Sequence, residues 1–214
     1  MKKYLLFSLF ILTFFSNPLW AQDKKQSAKG FGIEAGVGYN SMNWLITSHA
    51  GNDSSVTLNH FWLQPCLRLH YDIFLKQIGL KSSLKLKPFI GYYTFGGKHK
   101  PDDVGNSKIL SFGSIEAGIG LAFDINDYLQ ITPLVKAQYI FSATRRSIGI
   151  PTIPAQDLKA DFNTLAANAG LQIRYKFRHF TLGAEGWLGL TNFYKPKGRL
   201  AKENNYRLLL GYEF

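Results

Sequence analysis

The sequence predicts an all-β chain: an eight-stranded antiparallel up-and-down transmembrane β-barrel. Three observations carry this. Eight segments alternate apolar and polar residues with a period of two. No charge falls on any of the eight apolar faces. The connections are alternately long and short, which puts loops at one end of the sheet and tight turns at the other. A chain of 214 residues, 46% hydrophobic and 18% charged, is long enough for one domain with a sizeable core. It is too apolar for a disordered segment, and one Cys makes neither a disulfide scaffold nor a Cys-based zinc domain.

Residues 1–21, MKKYLLFSLFILTFFSNPLWA, read as a cleaved export signal. Lys2 and Lys3 precede an apolar run from Tyr4 to Phe15; Asn17 and Pro18 break it, and Ala21 supplies the small residue before a cut ahead of Gln22. The run falls short of the roughly 20 residues that a spanning helix needs. Residues 22–214 then form the barrel domain. The net charge of +11, from 25 Lys+Arg against 14 Asp+Glu, invites a nucleic-acid reading. Export argues against that partner, and two of the charges leave with the signal.

The strands follow in order. Phe31, Ile33, Ala35, Val37 and Tyr39 oppose Gly32, Glu34, Gly36 and Gly38. Phe61, Leu63, Pro65, Leu67, Leu69 and Tyr71 oppose Trp62, Gln64, Cys66, Arg68 and His70. In the third, Leu86, Pro88, Ile90 and Tyr92 oppose Lys85, Lys87, Phe89, Gly91 and Tyr93; in the fourth, Ile115, Ala117, Ile119, Leu121 and Phe123 oppose Glu116, Gly118, Gly120, Ala122 and Asp124. The fifth runs from Leu129 to Phe141, with Gln130, Thr132, Leu134, Lys136 and Gln138 on its polar side. The sixth runs from Leu165 to Phe177, opposing Asn168, Gly170, Gln172, Arg174 and Lys176. Leu182 to Leu190 oppose Gly183, Glu185, Trp187 and Gly189, and Tyr206, Leu208, Leu210, Tyr212 and Phe214 close the series opposite Arg207. Scattered Gly, which costs about 1 kcal/mol in a helix interior, argues against helices here.

Alternation alone fits a soluble barrel with its apolar face inward or a transmembrane barrel with that face on lipid. Glycines on the polar faces suit a narrow lumen better than a solvated sheet. Tyr39, Phe61, Tyr92, Tyr139, Phe141 and Tyr206 gather toward one rim, and Phe31, Tyr71, Phe123, Tyr175, Phe177, Tyr212 and Phe214 toward the other, as two headgroup girdles would require. Long polar loops are expected around 45–58, 96–108, 143–160 and 193–204, with tight turns at Asn126-Asp127 and Arg178-His179 and a less defined one near Lys76 to Ser83.

The ending Tyr206-Arg-Leu208-Leu-Leu210-Gly-Tyr212-Glu-Phe214 resembles the C-terminal signature of bacterial outer-membrane β-barrels, and the whole mature chain is similar to their small eight-stranded OmpA/OmpX-like members. The resemblance implies integral residence in a Gram-negative outer membrane. It also implies that Leu208, Leu210, Tyr212 and Phe214 form the signal read by the barrel-assembly machinery. Members of that family do many different things, so fold and location do not specify role.

For chemistry, the lumen face offers Glu34, Arg68, Glu116, Lys136, Arg174, Glu185 and Arg207. Charges in a low-dielectric lumen need partners, so a salt-bridge network filling the barrel is expected; a narrow channel for small solutes is the alternative. Some barrels of this resemblance are lipid A-modifying enzymes or proteases with catalytic His at the outer rim. His49 and His60 fall there but carry no characteristic motif, His99 sits in a loop, and His70 and His179 lie toward the turns. No catalytic residues, metal ligands or cofactor are expected. The outer loops are net basic: Lys98, Lys100, Lys108, Arg145, Arg146, Lys159, Lys195, Lys197, Arg199 and Lys202 against Asp53, Asp102, Asp103, Asp157 and Glu203. The expectation is a monomeric, non-enzymatic barrel with a structural or surface-interaction role. Its partners would be membrane lipid, lipopolysaccharide and a protein met by the outer loops.

Overall fold

The computed structural model describes residues 30–47, 53–58, 63–98, 107–148, 154–195 and 202–214. The strand segments are β1 (Phe31–Thr47), β2 (Asp53–Leu58), β3 (Gln64–Tyr71), β4 (Ile73–Gln77), β5 (Ser83–Lys98), β6 (Ser107–Asp124), β7 (Leu129–Ile148), β8 (Gln156–Asp157), β9 (Leu165–Phe177), β10 (Phe180–Gly189) and β11 (Glu203–Glu213). β2, β3 and β4 are successive lengths of one barrel strand, facing β1 and β5. β8 is a short addition to the outer part of β7. Neighbours pair antiparallel throughout, and β11 returns to pair with β1 from Gly32↔Glu213 to Met42↔Glu203. The sheet is therefore closed, with eight strands around it, and has no edge over the paired region. The described residues contain no helix long and apolar enough to cross a membrane; the crossing elements are strands.

Local chemistry explains the turns. The Asn126 side-chain oxygen accepts the backbone N–H groups of Tyr128 and Leu129, each at 2.8 Å, so a short polar side chain stands in for a turn carbonyl. Arg178 adopts a left-handed φ of 55° to join β9 and β10 in two residues. Pro133 has no N–H to give the ladder, and the β6–β7 pairing skips there, from Gly120↔Leu134 to Phe123↔Ile131.

The pleat points as the alternation predicts. Leu171, Ile173, Leu182, Leu208 and Leu210 are exposed on the outside, whereas Gln172, Arg174, Glu185 and Arg207 are buried inside. Leu182 is 61% exposed while Arg174 is 0% exposed, the reverse of a water-soluble domain. Phe31, Tyr71, Phe123, Tyr175, Phe177 and Phe214 are exposed around the turn end, and Tyr92, Tyr139 and Tyr206 around the other. Phe61 and residues 1–21 lie outside the described residues.

The loop expectations need correction. β1 and β2 occupy most of 45–58, β5 and β6 run into 96–108, and β7 extends to Ile148. Beyond the outer girdle the wall inverts its polarity. On its outside, Tyr92, Ile115 and Tyr139 give way to Thr94, Ser111, Ser142 and Thr144, and higher still to Lys98 and Arg146 on either side of a buried Ile109. Inside, Glu116, Lys136 and Gln138 give way to Phe95, Leu110, Phe112, Ile140 and Ala143. A β-bulge between Gly113 and Ser114 adjusts the register at the changeover. Above that level the inner residues are mostly apolar and most of the outer ones polar. From Ser114 to Ser107 this part runs about 23 Å along the strand at ~3.3 Å per residue.

Candidate functional site

All seven predicted lumen residues point inward and meet in one cluster. Glu116 on β6 is its centre: it accepts Arg207 Nη1 and Nη2 at 2.7 and 2.9 Å, Arg68 Nη2 at 3.1 Å and Lys136 Nζ at 2.8 Å. Arg68 on β3 also grips Glu185, with Nη2 3.0 Å from Oε2, and reaches Glu34 at 3.4 Å. Arg174 on β9 pairs with Glu34 and with Glu213, the latter at 3.0 Å. Paired strands place these residues at matching heights: Glu34 lies across from Arg68, Glu185 across from Arg207 and from Gln172. The lattice therefore follows from register as much as from side-chain choice.

Aromatic rings on the same inner face complete the coordination. Arg68 sits 4.4 Å from the Phe89 ring centroid, Lys136 4.4 Å from Trp187, and Arg207 3.6 Å from Tyr93. Ring faces stabilise cations that have lost their water. Trp187 Nε1 donates to Glu185 Oε2 at 2.7 Å.

Several members were not in the predicted set. Lys87 donates to Gln130 at 2.8 Å and lies 3.7 Å from Asp72. His70 is buried, 3.4 Å from Arg174. Glu203, expected in an outer loop, is instead 2% exposed inside the barrel, hydrogen-bonded by Asn205 and Asn168. Its correction has a simple cause: β11 begins at Glu203 and puts that side chain in phase with Arg207. The charged residues buried in the described interior are five cations (Arg68, Lys87, Lys136, Arg174, Arg207) and five carboxylates (Glu34, Asp72, Glu116, Glu185, Glu203). Electrical balance is what a low-dielectric interior demands.

Above this network lies the aromatic cap. Phe95 and Phe112 stack at 4.6 Å, and Phe162 and Phe193 close over them, with Phe162 4.8 Å and Phe193 5.6 Å from Phe112. Phe95 and Phe112 come from the extended β5 and β6. Phe162 and Phe193 come from the β8–β9 and β10–β11 connections, tied by the Phe162↔Tyr194 bridge and the Asn163 N–H to Phe193 O bond of 2.7 Å. Sequence reasoning missed this cap. Its legible signal was Tyr93, an aromatic ring on a face otherwise read as polar.

Two of the inner-face glycines are covered by side chains. A Cβ at Gly118 would strike the Phe89 ring, and one at Gly32 would strike the His70 ring. At both, a large inner side chain lies over the glycine, whereas a Cβ at Gly183 would meet only ordinary contacts. His179 Nδ1 stands 3.2 Å from Glu213 O in the turn region, Cys66 is a buried filler, and His49, His60 and His99 lie outside the described residues. No group of three or more His, Cys, Asp or Glu among the described residues could hold a metal ion. Leu208, Leu210, Tyr212 and Phe214 follow one another on the outer wall, with Tyr212 packed 5.1 Å from Phe214.

No protein-family model matches the chain, and no curated protein is significantly similar to it. Solved structures of similar shape include Ail, the attachment invasion locus protein of Yersinia pestis, in complex with sucrose octasulfate. It is 16% identical, covers 86% of this chain and 99% of its own, and has a TM-score of 0.42. Neisserial surface protein A is 12% identical over 86% of this chain and 97% of its own, with a TM-score of 0.49. The outer membrane protease OmpT of Escherichia coli is 9% identical over 90% and 99%, with a TM-score of 0.41. The fold assignment stands on the chain's own closed strand order. A wall apolar without and charged within has one solvent that suits it, a lipid bilayer, and the chain is an eight-stranded β-barrel of the outer-membrane type.

Proposed function

We propose that this is a non-enzymatic integral outer-membrane barrel whose role is structural or interactive and is carried by the rigid cap it holds above the membrane. The observation that supports it most is the polarity inversion. Strands that continue past the outer girdle with polar outsides and an aromatic inside build a folded platform in water. A filled, charge-balanced lumen under that platform weighs against the narrow-channel reading. Arg145, Arg146, Lys159, Lys195 and Lys202 are exposed on the cap side, against Asp157 and Asp161. Anionic headgroups, including lipopolysaccharide phosphates, suit such a rim at about 1 kcal/mol per well-placed cation. In this reading Leu208, Leu210, Tyr212 and Phe214 are read by the assembly machinery during insertion, and the barrel works as a monomer.

Planar-bilayer recording tests the proposal. Purified barrel that migrates in a heat-modifiable way should give no unitary conductance; stable steps would replace this reading with a channel. Hydrolysis or acyl transfer on purified lipid A would replace it with an enzyme. The cap makes a second expectation. Phe193→Ala should speed protease cleavage near 190–195 while heat-modifiable migration persists, because the lost ring belongs to the cap and not to the barrel wall.

A further inference from the structure

One seam of the wall is paired over a shorter length than its neighbours. Among the described residues, β3 and β5 pair from Cys66↔Tyr93 to His70↔Phe89 and no further. On either side the ladders run on, β1–β3 up to Gly38↔Gln64 and β5–β6 up to Lys98↔Ile109. Two prolines bound the short ladder, Pro65 on β3 and Pro88 on β5. Strand residues turn their backbone groups alternately to one neighbour and the other. Pro65 O accepts the Thr94 hydroxyl at 3.2 Å, and Gly96 O accepts Gln64 Nε2 at 2.8 Å. Odd residues of β3 and even residues of β5 therefore face this seam. Both prolines stand where an N–H would have joined the two strands.

Below the seam, β4 takes up the pairing with β5 at Ile73↔Leu86. Above it the described strands part company: β2 pairs with β1 and β5 with β6, so two hairpins rise with no ladder between them. Pro133 shows the contrast, because the β6–β7 ladder resumes beyond it. The resulting slit begins at the outer girdle, beside Tyr92, and side chains close it. Gln64 spans it to Gly96, and Tyr93 Oη donates to Gln64 Oε1 at 3.0 Å. Outside stand Leu63 and Pro65, both exposed. Behind stand Cys66, Tyr93 and Phe95, all buried, with the two rings stacked at 5.9 Å. Phe95 in turn meets Phe112 and Phe193 of the cap. The lipid-facing wall and the underside of the cap are thus two apolar surfaces separated by an unladdered seam.

We propose that the wall parts at this slit and admits a small apolar molecule, dissolved in the cap-side leaflet, to the underside of the aromatic cap. Local opening starts where backbone hydrogen bonds are fewest. The entering molecule passes from hydrocarbon to the Tyr93 and Phe95 ring faces without meeting water. The inference goes beyond the role proposed above and is independent of it.

Cys66, the chain's one cysteine, stands behind the slit and serves as the reporter. The folded chain in phospholipid vesicles is treated with pyrenylmaleimide, which partitions into the bilayer, or with a charged methanethiosulfonate, which stays in water. Each rate is taken relative to that reagent's rate on the urea-unfolded chain. Cys66 should be labelled from the bilayer and be protected from the charged reagent by the cap. Pro65→Val, which returns an N–H to the seam, should slow bilayer labelling about fivefold, the effect of one hydrogen bond on an opening equilibrium. Gln64→Leu, which removes the closing link, should speed it by a similar factor, and it decides the matter if Pro65→Val does not fold. Pro133→Val, on a seam whose ladder resumes, should change nothing. Absence of bilayer labelling, faster labelling from water, or a rate that either seam variant leaves unchanged overturns the portal. So does slowing by Pro133→Val equal to that by Pro65→Val.

Discussion

Glu116→Gln is expected to destabilise the folded barrel by about 3–5 kcal/mol, the cost of breaking a buried ion pair by removing one partner. The carboxylate takes hydrogen bonds from Arg207, Arg68 and Lys136 together. An amide of the same shape offers one oxygen and turns two donor hydrogens toward those cations. It also leaves the buried lumen with an uncompensated positive charge. The measurement is a urea titration of the heat-modifiable form in detergent or bilayers. Lys136→Met in the same chain should restore a large part of the loss, since it removes one cation together with the carboxylate it served. A double-mutant cycle isolates that coupling. A loss below about 1 kcal/mol would mean that water screens these charges as it does surface pairs. The lumen would then be wet, and the channel reading would regain ground over a filled core.

The same cluster shows what the sequence could and could not convey. Period-two alternation specifies the face of each strand residue, so Glu34, Arg68, Glu116, Lys136, Arg174, Glu185 and Arg207 were legible as lumen residues before any contact was known. Which carboxylate meets which guanidinium depends on register across strands far apart in the chain, such as Arg68 with Glu185, and no local pattern encodes that. Glu203 was misplaced because a strand's first residue carries no periodicity of its own. The cap was hidden for a different reason. Phe162 and Phe193 lie in connections without regular alternation, and their burial comes from tertiary packing against Phe95, Phe112 and each other. Polar composition in 96–108 and 143–160 looked like loop solvation, yet 96–98, 107–108 and 143–148 belong to hairpin strands.

Ile119→Lys is expected to cost about 2–4 kcal/mol, the penalty for an ammonium on the lipid face near mid-bilayer. Ile119 is 42% exposed on the outer wall, with Pro88 and Val135 as its partners in register, and lies between the two aromatic girdles. Leu171→Lys on β9 should behave alike, since Leu171 is outward and paired with Pro133. The more discriminating comparison runs up one strand. Ser111→Lys sits on the same outward face of β6, eight residues nearer the cap and beyond the polarity inversion. Its cost should fall to about 0–1 kcal/mol, because there the side chain meets headgroups or water. Folding free energies in a defined phospholipid bilayer would provide the three values. A steep fall from Ile119 to Ser111 would mark the hydrocarbon boundary at Tyr92, Ile115 and Tyr139. Equal costs at both heights would deny that boundary and return the upper strands to the membrane. The aromatic cap would then be a plug within the bilayer, with no water-exposed platform to present.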